Sequence, residues 1–336
     1  MKIGLIGTGW IGEEHVKRLT GTISGAEVVA VSDIDAERAA AVAAIAGARV
    51  VDGAEKLVDD PEVEAVVVTS WGPAHAEQVL ACIAAGKPVF CEKPLTTEAA
   101  DGLRVIEAEQ AHGKRLVQVG FMRRYDPGYR QMKAVLDAGG VGAPLMAHCV
   151  HRNPDSPESY HSDKPMVDTA VHEIDALRWL LGEEFTSAQV IVPRSTANRF
   201  PDLVDPQILL LETASGVRVD VEVFVNCRYG YDIQCEVVGE TGTVRLPDPA
   251  APLVRSGGRA SYAVVQDFPS RFADAFDVEL QAWVDSVRAG APAGPSAWDG
   301  YAATVVTNAA VEARRTGAVV PIDLPERPAF YREGAP

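Results

Sequence analysis

Asp168, His172 and Asp175 stand at i, i+4 and i+7 in the stretch MVDTAVHEIDALRWLLG, residues 166–182. In a helix that spacing puts two carboxylates and one imidazole on a single face. An imidazole has an unperturbed pKa of ~6.5, and neighbouring carboxylates can orient it. The set reads either as a proton-handling site or as a hydrogen-bonded network at a domain interface. Val171, Ile174, Leu177 and Leu181 fall on the opposite face and form the stripe that would seat the helix on a core.

A second set of residues offers the reaction such a site would serve. Gly7-Thr8-Gly9-Trp10-Ile11-Gly12 follows the apolar run Lys2–Ile6 and opens a helical stretch. Glycines there let a backbone approach a pyrophosphate, which sits at the helix N-terminus. Asp33 ends the next strand, about 20 residues beyond Gly12, the spacing for a carboxylate that takes a ribose 2′-hydroxyl. A carboxylate ~4 Å from a 2′-phosphate costs on the order of 4 kcal/mol at an effective dielectric of about 20. A tenfold preference needs only about 1.4 kcal/mol, so the expected cofactor is NAD. Ile34 follows Asp33; Arg38, close by in sequence, keeps NADP open. Thr69, Ser70, Trp71 and His75 lie at the end of a later strand, where an open α/β sheet lines its ligand crevice. They are expected at the dinucleotide, His75 alternatively being a plain helix N-terminal residue. Glu92, Lys93 and Pro94 end the following strand at the same edge. Lys93 can stabilise a developing alkoxide, and proline holds it extended, with a cis or a trans bond.

The elements that must position these groups follow from the apolar pattern. Short Val- and Ile-rich runs at Lys2–Ile6, Glu27–Ser32 and residues 49–51, 65–69, 88–91 and 116–119 alternate with helical, often Ala-rich stretches. That alternation predicts a parallel Rossmann sheet over residues 1–120. Residues 121–336 read as an α+β domain: a helix near residues 128–138, a strand at 145–153, the Asp168/His172 helix, then strands at 187–192, Gln207–Thr213, 217–225, 233–238 and 243–246. Such a succession reads as a large, mainly antiparallel sheet. Phe272, Phe276, Leu280, Trp283 and Val287 take helical spacing, and a last helix covers about residues 301–315. Alternation in the 145–153 strand puts Cys149, His151 and Asn153 on one face.

In this order, the glycine turn, Glu92-Lys93-Pro94 and the Asp168/His172 helix resemble the glucose–fructose oxidoreductase / inositol dehydrogenase family. The resemblance covers the whole chain and tightens at residues 120–130, 148–154, 166–182 and 226–240, where it is closest to the family's inositol-oxidising members. It implies a Lys93, Asp168 and His172 catalytic group and a substrate pocket of Arg123, His151, Asn153, Asp168, Thr169, His172, Asp175 and Tyr231. It also implies NAD-dependent oxidation of the 2-hydroxyl of myo-inositol, with another cyclitol or a pyranose as alternative substrate, and assembly into a homodimer or homotetramer through the sheet. A remote alternative is a non-catalytic, dinucleotide-binding regulatory protein, which would be expected to lose the Lys or the His. From residue type alone, Arg123 reads as a surface residue or a two-oxygen clamp, and His151 as a satisfied core histidine or a hydroxyl contact.

Composition narrows the field. A net charge of −16 opposes nucleic acid phosphates and anionic membranes. With 336 residues and 47% apolar content the chain can bury a sizeable core. No apolar run approaches the roughly 20 residues of a membrane span, and the N-terminal run reads as a strand, not a secretion signal. The five cysteines lack C-x-x-C spacing, so reduced thiols in the cytoplasm and no metal site are expected.

Overall fold

The computed structural model describes residues 1–332. The first unit is built around β1 (Lys2–Ile6), α1 (Trp10–Gly21), β2 (Glu27–Ser32), α2 (Ala36–Ala46), β3 (Arg49–Val50), α3 (Ala54–Asp59), β4 (Ala65–Val68), α4 (His75–Ala84), β5 (Val89–Glu92), α5 (Ala99–His112) and β6 (Val117–Gly120). Its six strands are all parallel, in the order β3-β2-β1-β4-β5-β6. β4 is the run AVVV, every residue buried, as expected of a strand covered on both faces. The strand order reverses between β1 and β4. That switch point gathers the segments after β1, β2, β4 and β5 at one edge, and with them Gly7, Asp33, Thr69 and Lys93.

The second unit contains α6 (Pro127–Asp137), β7 (Pro144–Arg152), α7 (Val171–Leu181), β8 (Phe185–Ile191), β9 (Gln207–Thr213), β10 (Arg218–Phe224), β11 (Asp232–Gly239), β12 (Thr243–Arg245) and a hairpin of β13 (Val254–Ser256) and β14 (Arg259–Ser261). Two long helices follow, α8 (Phe268–Ala289) and α9 (Ala297–Thr316), and a short β15 (Val320–Pro321). The seven-stranded sheet runs β12-β11-β7-β10-β9-β8-β15. It departs from a purely antiparallel succession at one place: β7 and β10 pair in parallel. The α7, β8 and β9 segment between them supplies the long crossover that a parallel pair requires.

A boundary after residue 120 accounts for the strands of each unit but not for the last helices. Unit 1 comprises Met1–Met122 and Phe276–Thr304 and resumes at Pro325; unit 2 comprises Arg123–Ala275 and Val305–Leu324. Residues 333–336 of the expected second domain lie outside the described residues. Packing draws α8 from Phe276 onward and the segment from Pro325 into the first unit. Leu280, Trp283 and Val284 of α8 are fully buried in the same cluster as Ile3, Leu5, Val67 and Phe90. Tyr331 donates to Glu109 Oε2 at 2.6 Å, fixing the last described residues to α5.

The single helix expected over residues 166–182 is two elements. Pro165–Thr169 forms a wide π-type turn, and α7 begins at Val171 and ends on Gly182 in the left-handed region. Val171, Ile174 and Leu177 are buried as expected, but Leu180 rather than Leu181 completes the apolar side. Glu173, Asp175 and Arg178 are buried too, so α7 has no solvated face of the ordinary kind.

Candidate active site

In the first unit the glycine turn has the geometry of a phosphate cradle. Gly7 has φ +95°, and a Cβ there would strike the Ser70 backbone; a Cβ on Gly12 would strike the Gly7 carbonyl. Gly9, by contrast, has nothing within 4 Å of where a Cβ would stand. It precedes α1 without any side-chain cap, leaving the helix N-terminus open to an anion. Asp33 is tied to this turn: its Oδ2 accepts from Thr8 N–H at 2.6 Å and Thr8 Oγ1 at 3.0 Å. Its Oδ1 accepts from Asp35 N–H at 2.9 Å and Arg38 Nη2 at 2.8 Å. Burial raises the Asp33 carboxyl, but Arg38 and the N–H and hydroxyl donors outweigh it and leave the pKa at about 2. The carboxylate is therefore ionised throughout the neutral range. An open turn and a fixed carboxylate suit a dinucleotide with a free ribose 2′-hydroxyl.

Several expected cofactor contacts turn inward instead. Thr69 Oγ1 donates to the Gly7 carbonyl at 2.6 Å, bracing the turn from the end of β4. Ser70 Oγ donates to Gln78 Oε1 at 2.6 Å. His75 is 1% exposed, with Nδ1 2.8 Å from the Pro94 carbonyl and Nε2 3.0 Å from the Ser70 carbonyl. Burial pushes its pKa below 6.5 while the two carbonyls push back. Glu92 accepts from His15 at 2.7 Å and from the Lys93 N–H at 3.1 Å. These side chains hold loops. Ile11 is half-buried, whereas Trp10 and Trp71 are exposed, Trp71 to 77%. Lys93 is half-buried at the end of β5, and its bond to Pro94 is cis.

In the second unit the π-type turn and α7 present Asp168, Thr169 and His172. Asp168 pairs with Lys164 Nζ at 3.1 Å. Thr169 Oγ1 lies 3.0 Å from the Tyr160 hydroxyl. His172 is 9% exposed, and its ring centroid lies 6.3 Å from that of His151 on β7. His151 is fixed from behind. Its Nδ1 is 3.0 Å from Glu173 Oε2 and 3.0 Å from Arg123 Nη2, and its Nε2 is 3.4 Å from the Tyr231 hydroxyl. Nδ1 cannot both donate to the carboxylate and accept from the guanidinium. Donation to Glu173 leaves Nε2 to accept from Tyr231, and Arg123 Nη2 then lies beside Nδ1 as a close contact and not as its donor. Arg123 also bonds Glu173 directly and donates to the Tyr129 hydroxyl at 3.3 Å.

Arg123 is therefore no open clamp. It is 1% exposed, with its terminal nitrogens on Glu173, His151 and Tyr129. Burial works to raise the Glu173 carboxyl, and the Arg123 charge with the hydrogen bonds from His151 and Arg123 overcomes it, so Glu173 titrates below its usual range. Asp175 is held by Arg124, whose Nε donates to Oδ2 at 2.9 Å. Tyr231 is buried, which pushes its hydroxyl up to about 12. Asn153 differs from these: its Oδ1 is buried and has no hydrogen-bond partner among the described residues. Sequence reasoning missed Glu173, Lys164, Tyr160, Arg124 and His15. Glu173 left a signal, since a buried carboxylate in an apolar helix requires a cation. Among the described residues no cluster fit for a metal ion occurs, no helix is long and apolar enough to cross a membrane, and all five cysteines are free.

Comparison with known proteins agrees with both halves. Residues 1–121 match the model of an oxidoreductase family with an NAD-binding Rossmann fold, and residues 133–323 match that family's C-terminal α/β domain. Inositol 2-dehydrogenase 3 of Saccharopolyspora erythraea is 64% identical over 331 residues, covering 98% of each chain. The crystal structure of myo-inositol dehydrogenase from Lactobacillus casei, in complex with NAD(H) and myo-inositol, superposes with a TM-score of 0.97 at 41% identity, over 99% of each chain. A scyllo-inositol dehydrogenase from the same organism, with NAD(H) and scyllo-inositol bound, reaches 0.89 at 26% identity over 96% of this chain and 99% of that one. Matched in both of its domains and along its whole length, the chain belongs to the Gfo/Idh/MocA oxidoreductase family.

Proposed function

We propose that this protein oxidises myo-inositol at the 2-hydroxyl to 2-keto-myo-inositol, using NAD. The observation that carries the reading is the full-length likeness to proteins named for that activity. NAD, when bound, supplies the hydride acceptor. His172 takes the hydroxyl proton, a task suited to an imidazole near neutral pH. Lys93 stabilises the alkoxide through its ammonium charge. Asp168, in its pair with Lys164, holds negative charge one turn from His172. Asn153 Oδ1 is an acceptor suited to a substrate hydroxyl, with Thr169 and Tyr231 as further hydroxyl partners. Arg123, His151 and Asp175 act here as positioning residues, because their charged or ring atoms are engaged by protein groups.

The assembly is proposed to be a homodimer or homotetramer formed through the outer face of the seven-stranded sheet. Met146, His148, Val150, Ile208, Leu210 and Asp220 share that face by register and are only half-buried or exposed. We place the protein in the cytoplasm, on the strength of its free thiols.

A panel of inositol isomers and hexoses, each with NAD and NADP, tests the reading by following reduced nicotinamide. The expected result is fastest turnover with myo-inositol and NAD. Turnover of hexoses with none of any inositol would overturn it in favour of a sugar dehydrogenase. NAD binding without turnover of any polyol would point to a regulatory protein.

A further inference from the structure

Two buried histidines that no part of the chemistry uses bracket Lys93. His15, on α1, is fully buried and lies edge-on to Phe90 and Phe276, with ring centroids 5.8 and 5.9 Å away. Its Nε2 meets Glu92 Oε1 at 2.7 Å, while Nδ1 has no hydrogen-bond partner among the described residues. That fits a ring whose proton sits on Nε2 and is donated to the carboxylate. The other oxygen of the same carboxylate, Oε2, accepts the Lys93 N–H at 3.1 Å. On the far side of Lys93, the Pro94 carbonyl faces His75 Nδ1 at 2.8 Å and the Ser70 carbonyl faces Nε2 at 3.0 Å; a neutral ring donates to only one of them, and the shorter contact assigns the proton to Nδ1 and the bond to Pro94.

Each histidine stands on a helix that leaves a loop of the cofactor edge. His15 is in the second turn of α1, which emerges from the glycine turn; His75 opens α4, just after the Ser70–Trp71 segment. We propose that His15 and His75 are positioning residues that clamp the Lys93 backbone from both sides and lock it to the glycine turn and the Ser70 loop. Glu92 is the bridge on one side and the Pro94 carbonyl the contact on the other. The frame fixes where the Lys93 backbone stands relative to the dinucleotide cradle. A catalytic group displaced by about 1 Å costs on the order of 100-fold in rate, so the frame acts on turnover more than on binding. The proposal rests on the reading of Lys93 as a catalytic residue.

The test uses His15→Leu, His15→Gln, His75→Leu and His75→Asn in the full-length protein. Both leucine variants are expected to lose about 30- to 100-fold in kcat, with KM for myo-inositol and Kd for NAD within about threefold of native. His15→Gln retains an N–H for Glu92 and is expected to recover most of the loss. His75→Asn retains the donor to Pro94 alone and is expected to recover part of it. Amide hydrogen exchange over residues 92–95, read by mass spectrometry, should quicken in the leucine variants and not in His15→Gln. In a Lys93→Met background the leucine substitutions should cost no further activity. Native kcat and native exchange in a folded leucine variant would overturn the proposal, as would equal losses in His15→Leu and His15→Gln. If a leucine variant does not fold, Glu92→Gln carries the test: it weakens the same bridge at constant volume and should lower kcat at unchanged NAD affinity. Full activity in Lys93→Met would instead overturn the role of Lys93, and faster exchange in the histidine variants would still report the clamp.

Discussion

At the scale of single residues, the chemistry divides between groups left available and groups already engaged. His172 carries the proton step in the proposed reaction, and it belongs to the second unit, whereas the glycine turn of the NAD cradle belongs to the first. Replacing it with alanine is expected to lower kcat by about 10²–10⁴-fold while NAD affinity, measured by calorimetry, stays within a few-fold of native. An equal loss of NAD binding would make His172 a structural residue. At this scale the sequence offers candidates: the types and spacing of Asp33, Lys93, Asp168 and His172 single them out for the proposed chemistry. What spacing does not carry is whether a polar side chain faces outward. Thr69, His75 and Arg123 have the right chemistry for ligands, but their polar atoms are spent on the Gly7, Pro94 and Ser70 carbonyls and on Glu173. Burial and partner choice come from contacts distant in sequence, and a one-dimensional pattern does not encode them.

At the scale of elements, α7 illustrates why. Its apolar stripe was readable and its charged residues were assigned to a functional face. The helix instead buries charge on several sides, with Glu173 paired to Arg123 and Asp175 paired to Arg124. Removing one member of a buried pair leaves the other charge without compensation, which typically costs about 3–5 kcal/mol. Glu173→Ala is expected to lose stability of that order in urea unfolding, and a change below about 1 kcal/mol would remove the pair from the frame of the site. The sign of the pH dependence follows from the same contact. Glu173 titrates below its ordinary value of 4.5 in the folded protein. Its contribution is therefore complete above pH 4.5 and fades as the pH falls through its lowered folded value. The alanine variant should show a flatter acid limb of stability against pH than the native protein.

At the scale of the whole molecule, two patterns predict the two sheets: apolar runs alternating with helices mark the parallel sheet covered on both faces, and period two marks the strands of the second sheet with one covered face. The parallel pairing of β7 with β10 was not legible, since strand direction depends on the path of the chain and not on its pattern. The outer face of that sheet mixes Met146, Val150, Ile208 and Leu210 with ionic partners such as His148 and Asp220. Met146→Glu and Val150→Glu together are expected to lower the assembly by at least one step in sedimentation equilibrium, without loss of helix or strand signal. An unchanged mass would move the subunit contact elsewhere. The packing of Trp283 against β-strand residues near the N-terminus has another reach. During synthesis, the first six strands leave the ribosome long before α8 exists. The nascent Rossmann sheet must therefore wait with the apolar surface destined for Leu280, Trp283 and Val284 uncovered, and a translation pause or a truncation between the units would leave that surface to chaperones.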